Sequence, residues 1–210
     1  MKLLTTSSDT SEDALASARL KLRHDLNNWR KSQLNLYPRL RDELDIVDLT
    51  EPEKERLLIP SNFNDAQRRS LGIHELARVE YSLREGQAYD ALDKLRLAIQ
   101  TWNFNVKFKI DNVRGQGPNT RAQQFLSTLS NDKVSAADKY RRVRTALLAL
   151  GLSEDDQSLQ PLLNTQLWCK NDNAPAAVGD AKTEDPWYWM VGRPSGLSLA
   201  EEAEWQIEST

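Results

Sequence analysis

The sequence predicts a mainly α protein. Its expected plan is an elongated antiparallel helical hairpin of about 11–40 and 65–102, a third helix over 135–150 packed on it, and an irregular C-terminal segment. Three observations carry this. Leu15, Leu22, Trp29 and Leu36 recur every seven residues, one stripe of a helix. Ala88, Leu92, Leu95, Ile99 and Trp102 step by four, three, four and three, the spacing of helices that pack along their length. The chain is 28% charged and 39% hydrophobic, which suits amphipathic helices with broad solvated faces. Its 210 residues divide into a disordered lead at 1–10, a helical module at 11–151, and an acidic, Trp-containing segment at 152–210.

The first helix starts near residue 11, where Thr10 and Asp13 resemble a capping box. Leu26 and Leu40 fill the turns between its stripe positions, and Pro38 ends or kinks it near Leu36. Arg19, Lys21, Arg23, Asp25, Arg30 and Lys31 are assigned to its solvated face. Thr50, Pro52 and Glu53 open a second, short turn that Ile59, Pro60 and Ser61 stop. Asn64 and Gln67 then cap the longest helix, over about 65–102, with a hesitation at Gly72 and a second glycine, Gly86, near its middle.

Phe104, Val106, Phe108 and Ile110 alternate with polar residues, which by period is a strand. No second alternating run exists to pair with it, so the favoured reading is continued helix or an extended loop. The run R-G-Q-G-P-N at 114–119 is a break, followed by a helical fragment at 122–129. Ser135 caps the next helix, striped by Tyr140, Val143, Leu147 and Leu150 and stopped by Gly151. Beyond it lie an apolar cluster at 159–168, the W-Y-W of 187–189, and a short final helix from Ser198 and Glu201 to about Ile207.

Several function classes find little support. Net charge is −3, so no global basic field favours nucleic acid. Cys169 is the single cysteine, which rules out an internal disulfide and argues against a Cys-based metal site. No apolar run approaches a membrane span, and the first thirteen residues are too polar for a secretory leader. The expectation is an intracellular, soluble chain. His24 and His74 each stand alone on a helix, without partners at metal-ligand spacing. No G-x-S-x-G elbow is present, and G-Q-G-P-N-T at 115–120 fits no phosphate loop and reads as a hairpin tip. Glu75, Glu80, Glu85 and Asp90 fall mostly at ion-pair spacing with Arg78, Arg84 and Lys94. No catalytic, cofactor-binding or metal-binding residue is assigned, and no cofactor is expected.

Two basic clusters could contact nucleic acid. Lys107, Lys109, Arg114 and Arg121 surround Phe104 and Phe108, and Lys139, Arg141, Arg142 and Arg144 crowd one helix. Cations interleaved with aromatic rings can hold phosphates and stack bases. The bland reading is a pair of solvated helix faces. The W-Y-W cluster is either a core anchor for the C-terminal segment or an exposed partner site. Gly86 reads as a packing notch where the Leu22–Trp29 helix approaches closely.

Several of these segments, in this order, resemble the C-terminal region of fungal KDZ (Kyakuja–Dileera–Zisupton) transposases. The matching pieces are Trp29, Gln33 and Pro38; I-P-S at 59–61; and L-G-I-H-E-L-A-R-V-E-Y-S-L-R-E-G-Q-A-Y-D-A-L-D-K-L-R-L at 71–97. They continue with R-G-Q at 114–116, T-R-A at 120–122, the Y-R-x-x-R-x-A-L-x-x-L-G run at 140–151, and W-Y-W. The resemblance covers roughly 20–190, and the 71–97 block is its specific part. It implies that strand-transfer chemistry belongs to an RNase H-like domain upstream, so no catalytic residue carries over. The chain departs from the family where Glu201, Glu202 and Glu204 replace a basic helical stretch. The expectation is a non-catalytic helical module for protein contact or self-association, nuclear if the resemblance holds and otherwise cytoplasmic. The alternative is an accessory nucleic-acid-binding module using the clusters at 107–121 and 139–144.

Overall fold

The computed structural model describes residues 6–43, 51–168 and 185–191. The described residues are mainly helical, with four α-helices and several single 3-10 turns and no strand among them. α1 is Thr6–Leu36, α2 Asp65–Leu71, α3 His74–Asn112 and α4 Gln116–Leu150. Two compact units divide the chain, residues 1–82 and 83–210.

In the first unit, α1 begins at Thr6, so Thr10 lies inside the helix and not at its cap. It ends before Pro38, as expected, and the chain continues as a 3-10 segment over Pro38–Glu43. Leu40, Leu58, Phe63, Leu71 and Ile73 form a buried core, with Leu34, Tyr37 and Leu76 packed against it. The cap predicted for 65 onward is present. Gln67 N–H donates to Asn64 Oδ1 at 2.9 Å, and Asn64 N–H donates to Gln67 Oε1 at 3.0 Å. The hesitation at Gly72 is a full stop. Its φ of 73° is left-handed, and Ile73 N–H donates back to the Arg68 carbonyl at 3.0 Å, a Schellman closure that ends α2.

The Pro52–Lys54 turn is a single 3-10 turn, short as expected, with Glu51 before it; Thr50 lies outside the described residues. The segment after it is irregular and leaves carbonyls that helix geometry would have satisfied. α1 supplies the donors. The Gln33 side chain is buried and donates to the Leu57 and Leu58 carbonyls at 3.0 and 2.9 Å. Arg30 pairs with Glu55 at 2.5 Å and donates to the Arg56 carbonyl at 2.5 Å. Arg19 forks onto Glu53. This corrects the face assignment of α1. Leu15, Leu22, Trp29 and Leu36 are exposed, whereas Arg19, Arg23, Leu26, Arg30, Gln33, Tyr37 and Leu40 are buried or half-buried.

In the second unit, α3 and α4 pack closely against each other. Lys109 meets Gln123 at 2.7 Å, and Lys133 lies 3.8 Å from the Trp102 ring centroid, so the helices run antiparallel. Ala88, Ala91, Leu92, Leu95 and Ile99 are buried on α3, and Leu126, Ala137, Tyr140, Val143 and Leu147 on α4. The strand-like alternation at 104–110 is helix throughout, with Phe104, Phe108 and Ile110 exposed. Asn105 and Asn112 each bond the carbonyl four residues back. The fragments read at 122–129 and 135–150 are one continuous α4, so Ser135 is not a cap; no Gly or Pro separates them. Gly115, at φ 85°, makes the turn into α4, and Gly151, at φ 112°, closes it as predicted. Pro118 sits in the first turn of α4, where a missing N–H costs nothing.

After Gly151 the described chain is irregular, as expected, apart from 3-10 turns at Asn164–Gln166 and Trp187–Trp189. The final helix expected at 198–207 and Cys169 lie outside the described residues.

Candidate interaction surface

The two basic clusters meet different fates. In the 139–144 cluster, Arg144 Nε donates to the Leu159 carbonyl at 2.7 Å and its Nη2 to the Glu154 carbonyl at 3.0 Å. Arg141 Nε donates to the Leu162 carbonyl at 3.0 Å, Nη2 to Asn164 Oδ1 at 2.7 Å, and Nη1 to Asp138 at 2.8 Å. Tyr140 OH donates to the Gln160 carbonyl at 2.7 Å. Burial pushes the Tyr140 hydroxyl well above the usual phenol range. Three neighbouring α4 side chains therefore clamp the irregular 153–164 segment, as Gln33 and Arg30 clamp the segment beside α1. Arg142 is exposed and Lys139 half-buried.

At the hairpin tip the cations do not gather. Lys107 and Lys109 stand two residues apart on one helix, about 200° around its axis. Lys109 turns toward α4 and donates to Gln123, while Lys107 is exposed. Arg114 donates to the Ile110 and Val113 carbonyls at 2.8 and 3.2 Å, closing the end of α3. Arg121 is exposed on α4. A groove of about 640 Å³ opens between the helices here, lined by Trp102, Val106, Ile110, Val113 and Leu126 together with Lys109, Gln123 and small polar residues.

The W-Y-W cluster is a core anchor. Tyr188 is fully buried and Trp189 nearly so. Tyr188 OH donates to the Gln166 and Trp168 carbonyls at 2.8 and 3.2 Å, and Trp189 Nε1 to the Trp168 carbonyl at 3.1 Å. Trp187 packs against Tyr140 with ring centroids 5.9 Å apart. Arg96, on α3, donates to the Tyr188 carbonyl at 2.5 Å and the Val191 carbonyl at 2.6 Å. Arg96 carries no mark in the sequence, because its carbonyl partners lie more than ninety residues away.

Large apolar side chains stand exposed on α3 as well. Leu83, Leu97, Phe104 and Phe108 are 64%, 51%, 70% and 52% exposed. Their spacings of fourteen, seven and four place them on one face of α3. Gly86 belongs to this same face. A Cβ built on Gly86 would meet no heavy atom within 4 Å.

His24 Nε2 lies 3.0 Å from Asn28 Nδ2, and His74 lies 3.3 Å from Glu75. Among the described residues no group of three His, Cys, Asp or Glu side chains is placed to hold a metal, and no helix is long and apolar enough to cross a membrane. Compared with known proteins, the chain matches no family model, no curated protein and no solved structure.

Proposed function

We propose that this chain is a non-catalytic helical module of the kind found C-terminal in KDZ transposases, acting through protein contact and foremost through self-association. The observation that carries the reading is the outer face of α3, where Leu83, Leu97, Phe104 and Phe108 stand exposed in a row. Singly exposed apolar residues are ordinary, whereas a row of them with two aromatic rings is what an interface core uses. The family reading rests on the 71–97 block and the ordered pieces around it. It would place the protein in the nucleus; without it, the cytoplasm is the default.

The charge distribution favours protein contact over nucleic acid. Arg141 and Arg144 spend their donors on the chain's own carbonyls, Arg114 on its own helix end, and Lys109 on Gln123. Lys107, Arg121 and Arg142 remain exposed. A fluorescent duplex and a single-stranded oligonucleotide, titrated at about 50 mM salt where counterion release most favours binding, test the alternative. The expected result is no saturable binding. Saturable binding that Lys107→Glu with Arg121→Glu abolishes would favour the nucleic-acid reading instead.

A further inference from the structure

We draw no further inference here: the strongest candidate, the groove between α3 and α4 lined by Trp102, Val106, Ile110 and Leu126 with Lys109 and Gln123, is an open surface of mixed polarity with nothing in the structure to show what covers it.

Discussion

Arg144 holds two carbonyls of the irregular segment at once, and its neighbour Arg142 is exposed. Removing Arg144 strands the partly buried Leu159 carbonyl, so Arg144→Ala should cost about 1–3 kcal/mol. Arg142→Ala should stay within about 0.5 kcal/mol of the parent. Urea denaturation of the two variants separates a clamp from a solvated charge; equal losses would contradict the assignment. Gly86 is a second residue-scale case. Glycine inside a helix is unfavourable by about 1 kcal/mol relative to alanine. Nothing lies within 4 Å of a Cβ there, so Gly86→Ala should raise stability by about that amount in the same assay. A destabilised variant would mean that a neighbour occupies the open face.

α1 has a packed side that apolar periodicity could not find, whereas the stripes at Ala88–Ile99 and Tyr140–Leu147 are the buried sides of α3 and α4. The α1 series Arg19, Arg23, Leu26, Arg30, Gln33, Tyr37 and Leu40 steps by four and three throughout, as a packed seam does. It was hidden because most of its members are polar, while Leu15, Leu22, Trp29 and Leu36 offered a cleaner apolar stripe. The reason is the partner. A helix facing another helix needs apolar side chains, but one facing an irregular segment must supply donors to unpaired carbonyls. Helix existence, the Asn64–Gln67 cap and the stops at Pro38 and Gly151 were legible because they depend on local chemistry. The tertiary bonds of Gln33, Arg96, Arg141 and Arg144 depend on segments distant in sequence. Two pH dependences follow at this scale. The hydrogen bond from Arg19, with its charge, holds the Glu53 carboxyl below its ordinary value. The stability it contributes is present above the unfolded carboxylate pKa of about 4.3 and is lost as pH falls through the lowered value. Urea midpoints measured on acidification should fall less steeply for Glu53→Gln. On the alkaline side, burial raises the Tyr140 pKa, so stability is intact below the phenol value of about 10 and declines above it. Tyr140→Phe should flatten that decline while losing the bond to Gln160.

For the molecule as a whole, several arginines fasten irregular chain onto helices, and exposed apolar side chains, two of them aromatic, stand on the outer face of α3. That division was only half legible in the sequence. The clusters at 107–121 and 139–144 are visible as runs of Lys and Arg, but only the folded chain shows that Lys109, Arg114, Arg141 and Arg144 are engaged within the chain. Leu97 lies in the helix expected over 65–102, whereas the alternation at 104–110 mimics a period of two and leaves Phe104 and Phe108 open between continued helix and an extended loop; the folded chain shows the helix. Protein contact through the outer face of α3 can be read by sedimentation velocity over a micromolar concentration series. The parent chain should show a mass that rises with concentration, and Phe104→Glu with Phe108→Glu should stay monomeric with unchanged helix content, because both side chains are exposed. A parent chain that remains strictly monomeric across the series, or a double variant that associates as the parent does, would contradict it.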